Sequence, residues 1–368
     1  MTEKVFGTFY NRGINMNHLT RIQLEGYKSI RHMDFDFKNI NIFIGGNGAG
    51  KSNLLSFFDF LQRIGHRELQ NAVIEQGGAN VLLFNGRKVT DSCLFQIYRD
   101  DLMFYGRLKA RDGDSLYFAQ QGLYNYQTKE NFYAADGFDE IKDEGMLKKT
   151  KVIDDIRTYH FHDTSASSLI KSFCDINNNM ELAGDGGNLA AMLYRIKTNH
   201  SDSYEQIVKV IRLAAPYFQD FILRENPINP QKIRLEWRKT GCSLPFGAEQ
   251  LSDGTLRFIC LTVLLCLPEN MRKDVICIDE PELGMHPFAI QVISELIKKY
   301  ATDRQVIIAT QSTEFINHFF LSDIVIVNQR DGESSFERLK QEDFDEWLTD
   351  YTIGELWQKN MIGGRPFM

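Results

Sequence analysis

The sequence predicts an α/β protein: a mixed, mainly parallel core sheet that carries a phosphate-binding loop, with an antiparallel β lobe and a helical insertion. Three observations carry this. Residues 45–52 read Gly-Gly-Asn-Gly-Ala-Gly-Lys-Ser, between a short apolar run at 41–44 and helix-like text from Asn53. A strand, a Gly-rich turn and a helix N-terminus together present backbone N–H groups and a positive dipole end to phosphates. Three solid apolar runs, at 275–278, 306–309 and 324–327, alternate with helical text in the last third of the chain. Strands apolar on both faces belong in a parallel sheet covered on both sides. Between Asn80 and Phe132, short alternating segments are separated by turn text such as Arg111-Asp-Gly-Asp, which predicts an antiparallel meander.

Taken in order, residues 1–17 lack clear periodicity and read as a loose arm. A strand follows from His18, with Leu19, Ile22 and Leu24 alternating only approximately, then a second in which Met33, Phe35 and Phe37 alternate cleanly. The apolar run at 41–44 reads as a buried strand of the same sheet as the three later runs. After the loop and its helix come meander strands around 93–98, 101–108 and 116–118, then a charged surface excursion at 135–150. Residues 189–196 and 204–213 carry apolar side chains at three- and four-residue spacing and predict helices. Strand text returns at 218–224 and 232–238; in the latter Ile233, Leu235 and Trp237 face one way and Lys232, Arg234, Glu236 and Arg238 the other. The expected organisation is an arm (1–17) and one two-lobed unit (18–368). Within that unit, 18–160 holds the phosphate loop and meander, 161–216 the helical insertion, and 217–368 the remaining core.

Composition narrows the function classes. The 368 residues are 43% hydrophobic and 25% charged, with a net charge of −7 and a pI near 5.7. No global basic field marks the chain for nucleic acid, which leaves only a local patch. Arg63, Arg67, Arg87, Lys88, Arg107, Lys109 and Arg111 form either a double-stranded-DNA-facing surface or solvated element faces. No apolar run reaches the roughly 18 residues a membrane span requires, and the start lacks the apolar core of a signal peptide. Cys93, Cys174, Cys242, Cys260, Cys266 and Cys277 are scattered, without a C-x-x-C pair. They read as reduced core residues of a cytoplasmic protein, not as disulfides or a zinc site.

The loop dictates its own chemistry. Gly45, Gly46, Gly48 and Gly50 let the backbone wrap an anion without a Cβ in the way; with Asn47, Ala49 and Asn53 they make the cradle for ATP. Lys51 is expected at the β- and γ-phosphates and the Ser52 hydroxyl on Mg²⁺. The run at 275–278 ends in Asp279-Glu-Pro-Glu, and ligands of parallel sheets lie at the carboxyl ends of strands. Asp279 is therefore expected to hold Mg²⁺ or its water, and Glu280 to act as general base toward the attacking water. Upstream, Gln250-Leu-Ser-Asp-Gly-Thr opens a helix at 256–267. Ser252 suits its N-cap, and with Gly254 it offers a second anion site. Two histidines at i, i+2 beside an acid, His160, His162 and Asp163, either bind metal or pack and hydrogen-bond at a strand end; the sequence leaves both open.

These motifs carry a specific resemblance. Leu251-Ser-Asp-Gly-Thr is similar to the signature motif of ABC-type ATPases. With the phosphate loop, Asp279-Glu-Pro-Glu-Leu-Gly-Met-His-Pro and the opening Gly26-Tyr-Lys-Ser-Ile, the chain resembles the ABC-type class that includes RecF, the SMC proteins and the OLD-type ATPases. Tyr159-His-Phe-His-Asp-Thr-Ser and the ending Gly354-Glu-Leu-Trp-Gln-Lys-Asn-Met-Ile-Gly-Gly-Arg-Pro look like a bacterial group of stand-alone ATPases. The resemblance implies an ABC-type head that forms a homodimer around two ATP molecules, with Ser252, Asp253 and Gly254 of one subunit at the γ-phosphate held by Lys51 of the other. It makes residues 283–286 the D-loop. It sets Gln311 where the class commonly has a histidine, so that its amide joins Lys51 and Glu280 in catalysis, and it leaves Gln96 as a weak candidate for the Q-loop glutamine. The tail around Gly363 and Arg365 is expected to fold back to the core, anchored by Trp357 and Ile362. No heptad segment makes an SMC-like rod, and the 57 residues after Gln311 leave no room for an OLD-type nuclease domain. The implied function is an ATP-hydrolysing switch acting on DNA or on a separately encoded effector, in anti-phage defence. RecF-like DNA repair and a non-hydrolysing nucleotide-gated scaffold are the alternatives; a transporter subunit is disfavoured by the opening segment and the D-loop.

Overall fold

Residues 18–138, 153 and 155–364 are described by a computed structural model. The expected arm at 1–17, the charged excursion beyond Phe138 and the tail from Arg365 lie outside the described residues.

The chain begins with β1 (Leu19–Tyr27), β2 (Ile30–Asp36) and β3 (Ile40–Ile44), followed by helices α1 (Lys51–Gly65), α2 (Leu69–Glu75) and α3 (Ala79–Leu82). The meander is β4 (Ser92–Arg99), β5 (Leu102–Arg111), β6 (Ser115–Asn125) and β7 (Asn131–Phe138). It joins β1 and β2 in one antiparallel sheet of order β2-β1-β4-β5-β6-β7. The approximate alternation of the first strand has a physical cause, because the register of β1 on β4 shifts between Leu19 and Arg21.

Next come β8 (Ile156–Tyr159), the two-residue β9 (Cys174–Asp175), helices α4 (Leu189–Asn199) and α5 (Ser201–Ala214), and β10 (Phe218–Ile222). The expected strand at 232–238 is two strands. β11 (Lys232–Ile233) pairs with β9, whereas β12 (Glu236–Lys239) pairs with β10 and with β13 (Pro245–Gly247). Ile233, Leu235 and Trp237 are buried as expected, but so is Glu236, whose carboxylate takes Arg224 and Arg234 as partners at 3.0 and 2.8 Å.

The last third gives α6 (Asp253–Leu265), β14 (Val275–Asp279), α7 (Pro287–Tyr300), β15 (Gln305–Thr310), α8 (Thr313–Ile316), β16 (Ile324–Arg330), β17 (Glu333–Arg338) and α9 (Ile353–Gln358). The core sheet runs β17-β16-β3-β15-β14-β8, with every neighbour parallel except the β16–β17 hairpin. The strand at 41–44 thus stands between two of the three later apolar runs.

Because side chains alternate across a strand, this sheet feeds two cores. Ile42, Ile44, Ile276, Ile278, Val306, Ile308, Ile324 and Ile326 face α4–α7. Phe43, Val275, Cys277, Ile307, Ala309, Val325 and Val327 face α1 and the antiparallel sheet. Each such Val, Ile or Phe side chain, fully buried, contributes about 1.5–3 kcal/mol, which is why the runs are almost wholly apolar. The buried Arg99 guanidinium at the end of β4 meets Asp274 just before β14 at 2.5 Å and ties the two sheets together. Among the described residues all six cysteines are free thiols, and no helix is long and apolar enough to cross a membrane. The longest of the described helices is α1, at 15 residues.

Candidate functional site

The carboxyl ends of four parallel strands define one edge of the core sheet. β3 ends at Ile44 opposite Thr310 of β15, Asp279 of β14 is opposite Ala309, and Ile278 is opposite Tyr159 of β8. The segments leaving that edge are the loop 45–50, Glu280, Gln311 and His160.

The loop is held from several directions. Gly50 lies in the left-handed region (φ 111°), and a Cβ there would stand 2.1 Å from the Ser334 hydroxyl. That hydroxyl, buried on β17, donates to the Ala49 carbonyl at 2.6 Å and meets the Ser29 hydroxyl at 2.7 Å; Asn53 Nδ2 donates to Ser29 at 2.7 Å. The loop's entry is fixed by the chain's far end: Gly46 N–H donates to the Gly364 carbonyl at 2.8 Å, and Gly364 N–H to Asn328 Oδ1 at 2.9 Å. Trp357 and Ile362, the expected anchors, are buried. Asn47, Gly48 and Ser52 are exposed, and no side chain caps α1. Its first N–H groups and dipole therefore face outward, toward an anion.

Lys51 is buried, and its Nζ donates to the Gly45 and Gly46 carbonyls at 2.6 and 3.0 Å. Burial pushes its ammonium below the usual lysine range, while the charges of Glu280, Asp279 and Glu282 pull it back up. The loop lysine and the acidic run are therefore electrostatic neighbours. Burial raises the Asp279 carboxyl against the opposing pull of His162 and His160.

Glu280 has an unusual backbone for a non-glycine residue, φ 40°, and its N–H donates to the Ala309 carbonyl at 2.8 Å. Gln311 Nε2 donates to Glu280 Oε1 at 2.8 Å, which fixes one oxygen and leaves the other available. Such backbone costs on the order of 1–3 kcal/mol and persists where the surroundings over-determine it. Thr310 Oγ1 donates to Glu282 Oε1 at 2.6 Å, and burial lifts that carboxyl to about 7. Ser52 and Asp279 offer a hydroxyl and a carboxylate, the hard oxygen donors that suit Mg²⁺.

Ser252, Asp253 and Gly254 open their helix on the face of the sheet opposite α1. Their helix α6 buries its apolar side in the core opposite that of α1. Ser252 caps α6, its hydroxyl accepting from Thr255 N–H at 3.2 Å, and Asp253 pairs with Lys171 at 3.8 Å. Gly254 packs on the turn after Asp279: a Cβ there would stand 2.1 Å from the Gly284 carbonyl. Gln96 lies in the antiparallel sheet, where its Oε1 accepts from Tyr98 Oη at 2.6 Å, so it is separate from the edge. Asp163, exposed, accepts from Ser165 N–H and is not grouped with the two histidines.

Sequence reasoning missed several contacts. Arg257, one turn into α6, donates through Nε to the Phe161 carbonyl at 3.2 Å and through Nη2 to the His162 carbonyl and Thr164 Oγ1 at 2.8 and 3.2 Å. Its Nη1 donates to the Leu283 carbonyl at 3.2 Å. His162 Nε2 in turn donates to the Asp279 carbonyl at 3.0 Å. One arginine thus links the helix of Ser252, the segment after β8 and the turn after Asp279. Its only trace in the sequence is its nearness to the Leu251-Ser-Asp-Gly-Thr motif.

A family model described as "AAA domain, putative AbiEii toxin, Type IV TA system" matches residues 84–317. The matched stretch starts downstream of the phosphate loop and takes in Ser252–Gly254, Asp279, Glu280 and Gln311. Among curated proteins nothing matches the chain. Solved structures share the fold, two SMC heads among them. The SmcHead bound to the C-winged helix domain of ScpA is 16% identical with a TM-score of 0.58, and covers 89% of this chain and 99% of its own. An Smc head domain with an extended coiled coil, bound to the C-terminal domain of ScpA derived from Pyrococcus furiosus, is 16% identical with a TM-score of 0.54, covering 91% and 99%.

Proposed function

The chain belongs to this AAA-domain family, with the head fold that SMC proteins share, and on that premise we propose that it binds and hydrolyses ATP as a dimeric switch for a separately encoded effector. The observation that carries the reading is the convergence of the uncapped phosphate-loop helix, Lys51, Asp279, Glu280 and Gln311 on one edge of the core sheet. On this reading the loop N–H groups, with Asn47, Ala49 and Asn53 about them, hold the phosphates. Lys51 trades the Gly45 and Gly46 carbonyls for β- and γ-phosphate oxygens. Ser52 and Asp279 would hold the Mg²⁺ that accompanies ATP, whose charge would offset that of the transferring group. Glu280 takes the proton of the attacking water with the oxygen that Gln311 leaves available.

The signature segment needs a partner in this scheme. Ser252, Asp253 and Gly254 open a helix on the face of the sheet opposite α1, so the γ-phosphate of one chain meets the signature of a second copy. Leu283 and Phe288, exposed beside that segment, lie on the surface such a pairing would cover. The family's description names a toxin of a toxin–antitoxin system, which favours a role in defence. A DNA-directed reading has one observation of its own: Arg107, Lys109 and Arg111 alternate along the outer face of β5.

The test is Glu280→Gln expressed in the native host and isolated with ATP. The variant is expected to retain ATP, to lose at least about 100-fold in turnover and to accumulate as a dimer carrying a stoichiometric protein partner. Nuclease-sensitive DNA without a protein partner would turn the reading to DNA maintenance, and a variant that hydrolyses ATP normally would remove Glu280 from its role.

A further inference from the structure

The segment after β8 sets at the site a side chain that the proposed ATP chemistry does not use. β8 lies beside β14 with Tyr159 opposite Ile278, so His160 emerges next to Asp279 at the same edge of the sheet. Its Nδ1 stands 3.9 Å from Asp279 Oδ2, and its side chain is 46% exposed, open to the site from one side. Its neighbour His162 is already committed to the Asp279 carbonyl, and Arg257 grips the carbonyls on both sides of that neighbour. The backbone that presents His160 is therefore held, and its own N–H donates to the Gly184 carbonyl at 2.7 Å. Among the described residues no group of three or more His, Cys, Asp or Glu side chains could hold a metal ion. A cation at this edge thus depends on oxygens that a nucleotide brings.

We propose that His160 is a direct ligand, through Nδ1, of the divalent cation that enters with the nucleotide, sharing it with Asp279. The inference rests on the ATP-binding reading above and deepens it. Adjacent ligands at about 2.1 Å from one octahedral ion stand about 3 Å apart, so the 3.9 Å separation leaves about 1 Å for the exposed His160 side chain to close. An imidazole nitrogen is a poor ligand for Mg²⁺ and a better one for first-row divalent ions. The site therefore favours Mn²⁺ over Mg²⁺ more strongly than hydroxyl and carboxylate ligands alone would.

The probe is Mn²⁺ with the β,γ-imido analogue of ATP, bound to the full chain labelled uniformly with ¹⁵N. Pulsed electron paramagnetic resonance then reads protein nitrogen on the metal, apart from the unlabelled nucleotide. The wild type is expected to show the coupling of one bound imidazole, which His160→Gln loses and His162→Ala keeps. In nucleotide-binding titrations the preference for Mn²⁺ over Mg²⁺ is expected to fall about tenfold in His160→Gln. Bound Mn²⁺ and nucleotide without protein nitrogen, or a coupling that survives His160→Gln, would overturn the assignment and leave the ATP site standing. Failure of the wild type to bind Mn²⁺ with the nucleotide at all would overturn both.

Discussion

Glu282 shows how burial at the site is felt by the whole fold. Its carboxyl receives Thr310 Oγ1 on one oxygen, the other is buried without a hydrogen-bond partner, and burial carries its pKa from an ordinary 4.5 to about 7. Between those values the folded chain keeps a proton that the unfolded chain has lost. The contribution to stability is therefore complete below the ordinary value and is lost as the pH rises through about 7. Glu282→Gln keeps the shape and the contact with Thr310 but cannot ionise. In nucleotide-free unfolding titrations the wild type should lose on the order of 1–3 kcal/mol more than this variant between about pH 5 and pH 8. Parallel curves for the two proteins would mean that Glu282 is ionised in the fold.

Among the elements, the phosphate loop and the apolar strands were legible in the sequence because their causes are local. Glycine spacing, a following Lys-Ser and solid apolar runs each need only neighbours along the chain. The strand expected at 232–238 divides because Ile233 and Trp237 answer to different partners, β9 on one side and β10 with β13 on the other. No periodicity within seven residues records such a choice. The same holds for Ser334, which supports Ala49 from 285 positions away, and for Gly364 at the loop's entry. Arg257 is the element-scale case with a consequence. It binds carbonyls of the segment after β8 and of Leu283 at once, so it sets where α6 stands relative to Asp279. Arg257→Ala should leave nucleotide affinity within about threefold and lower turnover about 10- to 100-fold, since sub-ångström misplacement of a reacting group is enough for that. Arg257→Lys should not restore it, because an ammonium cannot span the planar array of acceptors. A fall in affinity equal to the fall in turnover would instead make Arg257 a general support of the fold.

At the scale of the whole molecule, the core sheet decides what one chain can do alone. α1 packs into one core and α6 into the other, so the helix of the loop that would hold the γ-phosphate and the helix of the segment that would close on it lie on opposite faces of the sheet. On the proposed reading each ATP lies between Lys51 of one copy and Ser252 of another, and a copy defective in one half can be rescued by a copy defective in the other. Lys51→Ala removes the phosphate contact; Ser252→Arg, at an exposed N-cap, obstructs the signature without touching either core. Each variant alone should be inactive. Mixed one to one, half of the dimers carry both defects on separate chains and retain one of two composite sites, so about a quarter of wild-type turnover should return. A site completed within its own chain gives a different result: both variants stay broken in every combination, and mixing returns nothing.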